Sequence, residues 1–226
     1  YDVDGTSSVA LMASYLDTKS TKVSTYIPDR YDEGYGVSYK GIDYASDNNF
    51  SLIIALDCGV KAIEKVSYAK SKGIDFIICD HHRPGNELPL AVAVLDPKRS
   101  DCNYPFKELC GCGVGFKLIQ ALAYMDNKPA ESLLGYLDLV ATAIGADIVP
   151  IVGENRALAY LGLQVINSKP RPGFMAIISQ IKKETLTKVR GTVATALAML
   201  EFYKIGKISL EKIVEKHIII INNCIK

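Results

Sequence analysis

Short apolar runs alternate along this chain with longer segments in which apolar residues recur at helical spacing. The runs at residues 51–56, 76–79 and 91–95 are apolar almost throughout, as is typical of parallel strands buried on both faces. Between the first two runs, residues 60–72 place Ile63, Val66 and Ala69 on one helical face. This β-α-β pattern predicts an α/β fold, with a parallel sheet joined by crossover helices.

Further helices are predicted outside this unit, over residues 6–15, 114–124 and 133–144, while residues 31–49 predict a loop-containing connection. Residues 167–173 read NSKPRPG, and beyond them the pattern is helical, with helices expected at 174–183, 193–203 and 210–221. We therefore expect a sheet domain over residues 1–168. A helical segment over 169–226 should pack on it or lead to a second domain.

Composition narrows the possible partners and surroundings. The 226 residues are 49% hydrophobic, which suffices for one full domain and a smaller appendage. A net charge of +1 means that binding of nucleic acid would depend on local patches. The longest aliphatic runs, such as 218–221, are far shorter than the roughly 20 residues of a membrane span, so we expect no membrane segment. The start carries no signal-peptide pattern, and we expect the sequence to be a piece of a longer chain.

The six cysteines show no disulfide framework, and Cys58 and Cys79 lie in apolar strand segments. A reducing cytoplasm is therefore the expected location. Cys110 and Cys112 could form half of a soft-metal site. Zinc pairs usually have two intervening residues and a second pair elsewhere, so structural or free thiols are the favoured interpretation.

Carboxylates and imidazoles directly follow the apolar runs. Asp57 ends the first run, Asp80, His81 and His82 end the second, and Asp147 follows another apolar stretch. Because ligands bind at the carboxyl ends of parallel strands, we expect these side chains to converge from separate strand ends.

Asp2 and Asp4 are two residues apart at the start of the chain. On an extended segment both would point to one side and could face one pair of cations. An oxygen-rich site with one imidazole suits Mn²⁺ or Mg²⁺ better than structural zinc. Two such ions about 3.5–4 Å apart would activate a water for hydrolysis of a phosphoester.

Each of these residues also has a simpler interpretation. A single Asp after a strand is most often a cap or turn residue. However, His81 and His82 are two of only three histidines, and both sit beside Asp80 at one predicted strand end, where core packing would be unusual. The third, His217, is expected to be structural. The combination favours a metal centre.

Four segments resemble the motifs of the DHH phosphoesterase superfamily: residues 1–8 (YDVDGTSS), 56–60 (LDCGV), 79–85 (CDHHRPG) and 146–147 (AD). Within it, the chain is similar to the RecJ branch of 5′ to 3′ exonucleases specific for single-stranded DNA. That finer similarity is carried by 27–30 (IPDR), 33–36 (EGYG), 87–89 (ELP), 93–97 (AVLDP), 111–117 (GCGVGFK), 147–150 (DIVP) and 153–156 (GENR). The resemblance covers roughly residues 1–173.

The resemblance implies a role for each matching position. The metal ligands would be Asp2, Asp4, Asp57, His81 and Asp147, with Asp57 bridging two ions of Mn²⁺ or Mg²⁺. His82 would hold the scissile phosphate, because its hydrogen bond to a phosphate oxygen strengthens as negative charge develops there in the transition state. Asp80 would orient the residues around this contact.

Asn155 and Arg156 are expected to bind substrate, because an arginine fork can grip a backbone phosphate. The alternative for Arg156 is a surface or helix-start arginine. The chain also departs from the family pattern. A further family ligand would lie upstream of Tyr1. Residues 185–191 (TLTKVRG) lack the Gly-rich, Arg- and Asn-containing character of the segment that follows the sheet domain in the family. The family's second domain and oligonucleotide-binding barrel are not in this sequence.

The resemblance thus implies an exonuclease acting on single-stranded DNA in DNA repair and recombination, with a helicase and a single-strand-binding protein as possible partners. Two other functions remain open. One is a DHH-type phosphodiesterase or phosphatase acting on short oligonucleotides or small nucleotides. The other is a non-catalytic scaffold of the same fold, against which the retention of all visible ligands argues.

Overall fold

A three-stranded parallel sheet forms the centre of the computed structural model, which describes residues 2–19 and 22–181. Its strands are β1 (Leu52–Leu56), β2 (Asp75–Cys79) and β3 (Ala93–Leu95), in that order across the sheet. Ile54 pairs with Ile77, and Ile77 with Ala93, so the three strands end at one edge. The α/β prediction and all three strand predictions are confirmed.

Seven α-helices lie within the described residues: α1 (Val3–Leu16), α2 (Tyr39–Asp47), α3 (Ile63–Ser71), α4 (Gly111–Met125), α5 (Leu137–Ala146), α6 (Gly153–Ser168) and α7 (Pro172–Ile181). A 3₁₀ helix, Ala130–Tyr136, leads into α5. Of these, α6 was not predicted, and α2 occupies part of the predicted loop connection. The helices expected at 193–203 and 210–221, His217 and residues 185–191 lie outside the described residues. No described helix is both long and apolar enough to cross a lipid bilayer.

The sheet separates two apolar layers. On one face, Ala55 and Ile78 pack with α2 and α3. On the other face, Leu56 and Cys79 pack with α1, α4, α5 and α6. Because neighbouring residues of a strand point to opposite faces, each strand supplies both layers, which explains the continuous apolar runs of the sequence.

The start of the chain corrects one prediction. Asp2 and Asp4 do not share an extended segment, because α1 begins at Val3. The Asp2 carboxylate caps this helix by accepting a hydrogen bond from the Gly5 amide at 2.8 Å. An aspartate at this position satisfies an otherwise unpaired amide, so capping overrides the alternating pattern. Asp4 consequently lies in the first helical turn.

The position of Asp147 corrects a second prediction. Asp147 is the C-cap of α5, so the prediction that it follows a strand is wrong. Two strand ends and two helix ends supply the predicted residues. The residues before Asp147 form a fully buried helix, in agreement with the helix predicted over 133–144, and a short apolar run does not by itself distinguish the end of such a helix from the end of a strand.

The connection from α6 to α7 contacts the sheet domain. Arg171 Nε lies 2.6 Å from Asp138 Oδ2, and Asp138 is fully buried in α5. Phe174 packs against the core that α5 helps to form. The division of the chain near residue 168 stays a prediction.

Candidate metal centre

Three carboxylates surround one nitrogen of a buried imidazole at the carboxyl edge of the sheet. His81 Nε2 lies 3.2 Å from Asp57 Oδ1, 3.6 Å from Asp147 Oδ2 and 3.8 Å from Asp4 Oδ2. The residues come from α1, the ends of β1 and β2, and the end of α5. The structure therefore brings together four of the five predicted ligands around one point.

Asp57 is held at this point by an unusual backbone conformation. Its amide continues the sheet by donating to the Cys79 carbonyl at 2.8 Å, and its φ is +60°. Few residues other than Gly, Asn and Asp adopt this left-handed region readily. The chain thus turns sharply at Asp57, directly after β1. Of the three carboxylates, that of Asp57 lies closest to His81 Nε2.

Asp4 is fixed from the opposite side by the first turn of α4. The Gly111 amide donates to Asp4 Oδ2 at 2.7 Å, and the Cys112 amide donates to Asp4 Oδ1 at 2.8 Å. A helix N-terminus presents unpaired amides and a positive dipole end, which favour a carboxylate. Asp4 is buried, so these two amides replace much of its hydration.

Asp80 organises the turn after β2. Its Oδ2 accepts a hydrogen bond from the Val60 amide at 2.9 Å, and its Oδ1 accepts from the amides of His81 and His82 at 2.8 and 3.1 Å. The same Oδ1 lies 2.7 Å from His82 Nδ1. Because Asp80 engages Nδ1, the second ring nitrogen of His82 is left for an external partner, and the side chain of His82 is 57% exposed.

Asp2 lies at the margin of the group. Its carboxylate is exposed and caps α1, yet its negative charge is one of the causes that raise the pKa of Asp57. The two residues are therefore electrostatic neighbours. All five predicted ligands, together with Asp80 and His82, lie at the same edge of the sheet.

The ionisation of the cluster reflects crowding of like charges. Burial, followed by the charge of Asp57, raises the pKa of Asp4 to about 7. Burial, followed by the charge of Asp2, raises that of Asp57 to about 8, and burial followed by Asp4 raises that of Asp147 to about 6. Desolvated carboxylates this close together favour a proton or a cation between them.

Several buried polar atoms of the cluster make no hydrogen bond: Asp57 Oδ1 and both ring nitrogens of His81. Among the described residues, two overlapping groups could hold a metal ion, namely Asp57 with His81 and His82, and Asp4 with His81 and Asp147. Unpartnered carboxylate oxygens and an imidazole nitrogen are the donor set of a divalent cation such as Mn²⁺ or Mg²⁺. The residues present therefore fit a metal centre.

A pH dependence of stability follows from these carboxylates. Their folded-state pKa values lie above the ordinary value of 3.8, so the metal-free folded protein binds more protons than the unfolded chain. We expect the free energy of unfolding of chelator-treated protein to fall as pH rises from about 4 to about 8. Urea unfolding at stepped pH measures this fall. A flat profile would show that the pKa values of the three carboxylates are not raised in the folded protein.

The structure places the two predicted substrate residues on the first turn of α6. Asn155 is fully buried, and its Nδ2 donates to the carbonyls of Glu108 and Pro150 at 2.5 and 3.0 Å. In this conformation the Asn155 side chain links the two loops that contain Glu108 and Pro150, and it does not face solvent. Arg156 is exposed beside it. A role in binding DNA stays a prediction for both residues.

Two residues near the site were not predicted to take part in it. Asp96 follows β3 as Asp57 follows β1, it is buried, and its Oδ2 has no partner. The rule that selected Asp57 would also have selected Asp96. Gly111 was noted only within a motif, and its contact with Asp4 spans 107 residues of sequence, so no local pattern could have revealed it.

Cys110 and Cys112 do not show the arrangement of half a soft-metal site. Both are free thiols and fully buried at the start of α4. Cys110 Sγ accepts a hydrogen bond from the Gly113 amide at 3.3 Å and thereby caps the helix. Burial, followed by the charge of Asp4, raises the pKa of each thiol. These contacts are consistent with the favoured interpretation of both cysteines as structural thiols.

Comparison with known proteins gives a consistent result. The sequence profile of the DHH family, N-terminal domain, matches residues 1–144. The single-stranded-DNA-specific exonuclease RecJ of Bacillus subtilis is 44% identical over 178 residues, which are 79% of this chain and 22% of that protein. RecJ of Escherichia coli is 36% identical over 197 residues, with 81% and 34% covered. The chain thus spans about a fifth to a third of these relatives.

Solved structures agree with the fold. A crystal structure of exonuclease RecJ bound to manganese superposes with a TM-score of 0.71 at 26% identity, covering 96% of this chain and 58% of that one. RecJ of Thermus thermophilus in complex with Mn²⁺ gives a TM-score of 0.67 at 27% identity, with 80% and 26% covered.

Proposed function

The chain belongs to the DHH family, and from this premise we propose that it carries the catalytic centre of a metal-dependent exonuclease that hydrolyses single-stranded DNA from the 5′ end. Its relatives of known name are exonucleases specific for single-stranded DNA. We place the protein in DNA repair and recombination on the same grounds.

One observation carries this proposal: three carboxylates of Asp4, Asp57 and Asp147 converge on the unpartnered Nε2 of His81. A non-catalytic scaffold would have no need to keep such a costly arrangement buried. With Mn²⁺ or Mg²⁺ bound, the site would supply a metal-activated water and stabilisation of charge on the phosphate. Asp2 at the margin would complete the proposed ligand set of Asp4, Asp57, His81 and Asp147.

His82 is suited to hold the scissile phosphate. Its hydrogen bond to Asp80 raises the pKa of the ring to about 9, so the imidazole is cationic near neutral pH. With Nδ1 occupied by Asp80, Nε2 can donate to a phosphate oxygen, and this bond strengthens as negative charge develops there. Asp80 positions His82 and takes no direct part in this contact.

A feature beside the metal centre favours a polynucleotide over a small nucleotide. Tyr31 and Tyr35 are 88% and 75% exposed, and the Arg30 guanidinium lies 4.8 Å from the Tyr35 ring centre. A side chain at Gly36 would lie 3.6 Å from Cys58 Cβ, so this segment packs against the residue that follows Asp57. Exposed aromatic rings next to arginine offer stacking surfaces for successive bases of a single strand.

Nucleotide release from 5′-labelled DNA in the presence of Mn²⁺ tests the proposal. The natural full-length protein should degrade a long single strand and leave a blunt duplex intact, and an Asp57→Asn variant should degrade neither substrate. Preferential cleavage of a dinucleotide would favour the small-nucleotide phosphodiesterase. Absence of both Mn²⁺ binding and cleavage in the unmodified protein would favour the scaffold.

The pairing of His82 with Asp80 makes a separate prediction. In the metal-free protein, His82 should titrate near pH 9, and an Asp80→Asn variant should bring its pKa back towards the ordinary 6.5 because the ionic partner is lost. The stabilisation from this pair is complete below pH 6.5 and is lost as pH rises through about 9. Histidine NMR titration of both proteins measures the shift. Equal pKa values of His82 in the unmodified protein and in Asp80→Asn would show that Asp80 does not position His82.

The remaining assignments rest on family membership. We propose a sheet domain at residues 1–168 and a helical segment at 169–226 that leads towards further domains. Arg156 is proposed to contact the DNA backbone, with Asn155 supporting the loop beneath it. A helicase and a single-strand-binding protein are the proposed partners. The free thiols of the five described cysteines support a cytoplasmic, reducing location.

A further inference from the structure

Gly111 touches two of the proposed metal ligands at once. Its amide donates to Asp4 Oδ2 at 2.7 Å. A Cβ added at this residue would lie 2.5 Å from both Cβ and Oδ1 of Asp57, and 2.8 Å from its Cα. Real Cβ atoms do not approach other atoms this closely, so only glycine fits between α4 and the turn after β1.

The contact with Asp57 cannot be relieved by a small adjustment. Two of the three clashing atoms are the Cα and Cβ of Asp57, whose positions are fixed by the backbone. That backbone is itself constrained, because the Asp57 amide is bonded to the Cys79 carbonyl and its φ is +60°. A side chain at residue 111 would have to push β1 and α4 apart.

The same helical turn sets the orientation of Asp4. The amides of Gly111 and Cys112 each bind one oxygen of its carboxylate, which fixes the plane of the group. Moving the start of α4 away from β1 would therefore move Asp4 away from Asp57. Both carboxylates would then lose their common approach to His81 Nε2.

We propose that Gly111 is a positioning residue of the metal centre. Because it has no side chain and its amide binds Asp4, the first turn of α4 can hold Asp4 next to Asp57. This inference rests on the proposed function, since it concerns the same centre. It explains why the 111–117 motif begins with glycine at a helix start, where glycine is otherwise a poor helix former.

Gly113 offers a matched control in the same helical turn. A Cβ at Gly113 would meet its nearest atoms, Cδ2 and Cβ of Leu109, at 3.4 and 3.5 Å, which is ordinary contact. Replacing either glycine by alanine changes the helix propensity of α4 by a similar amount. A difference between the two variants therefore reports the contact with Asp57.

Calorimetric titration of the metal-free full-length protein with Mn²⁺ tests this inference. Gly111→Ala should weaken Mn²⁺ binding by about 10- to 100-fold, as is typical when the support of a metal ligand is disturbed. Gly113→Ala should bind as the unmodified protein does. In electron paramagnetic resonance, the signal of paired Mn²⁺ ions seen in the unmodified protein should be replaced by that of isolated ions in Gly111→Ala.

A folded Gly111→Ala protein that binds Mn²⁺ with unchanged affinity and spectrum would overturn the inference. If the unmodified protein binds no Mn²⁺, the proposed function itself fails, and the two results are thereby distinguished. If Gly111→Ala does not fold, the same substitution is made in an Asp57→Gly background, which removes the Cβ and Oδ1 that the alanine would meet. A double variant that folds supports the contact with Asp57, whereas a double variant that also fails to fold would assign Gly111 to the helix alone and reject the positioning role.

Discussion

Replacement of Asp57 by Asn is expected to lower Mn²⁺-dependent cleavage by about a thousandfold or more, because several kcal/mol of charge stabilisation by bound metal are lost. The same substitution should raise the stability of the metal-free protein above pH 8. Asn tolerates the positive φ of this residue, and it removes a buried charge whose pKa is raised to about 8. Cleavage assays and thermal unfolding at pH 9 measure the two effects.

The opposite signs of these effects distinguish a metal ligand from a structural residue. A structural carboxylate would lose activity and stability together when it is neutralised. Asp47→Asn is the matched control, since Asp47 lies exposed in α2 and its neutralisation removes the same formal charge away from the centre. Metal-free Asp57→Asn that unfolds more easily than the unmodified protein at pH 9 would contradict the account of crowded carboxylates.

Gly162→Ala is expected to destabilise the fold by about 3 kcal/mol or more, at the upper end of overpacking effects. A Cβ at this residue would meet the Leu137 carbonyl oxygen directly and would lie 2.6 Å from Ala141 Cβ. These atoms belong to α5, so helices α5 and α6 can approach this closely only because residue 162 is glycine. The clash must exceed the gain of up to about 1 kcal/mol that alanine brings to a helix.

Because Asp147 is the C-cap of α5, the loss should extend to the metal centre. Urea unfolding gives the change in stability, and Mn²⁺ titration of the folded fraction gives the change in affinity. Gly173→Ala is the control, since a Cβ there would meet nothing within 4 Å and should leave stability equal or slightly higher. Equal stabilities of the two variants would mean that α5 and α6 are packed less closely than described.

The strand ends of the site could be predicted because their signal is local. Asp57, Asp80 and His81 each follow an apolar run, and parallel strands deliver their carboxyl ends to one edge of the sheet. The family resemblance added roles for Asp2, Asp4 and Asp147. Their convergence, however, depends on the ends of α1 and α5. The sequence pattern had instead predicted an extended segment for Asp2 and Asp4 and a strand end for Asp147.

The two corrections have a common cause. A two-residue alternation suggested an extended start, but the capping hydrogen bond of Asp2 to Gly5 begins a helix there. Asp147 was expected at a strand end, but it caps the helix that was itself predicted over residues 133–144 and that is buried on all sides by its neighbours. In each case the neighbouring interactions outweighed a weak local preference.

The sheet, the residue types of the metal centre and their family could be predicted from the sequence alone, because strand periodicity and strand-end chemistry depend on consecutive residues. The fold was needed to show that Gly111 lies against Asp4 and Asp57, that Asn155 is buried between two loops, and that Asp96 lies at a third strand end with its Oδ2 making no hydrogen bond. These contacts join residues tens to a hundred positions apart, and their energies depend on burial and close packing, which no local pattern of residues encodes.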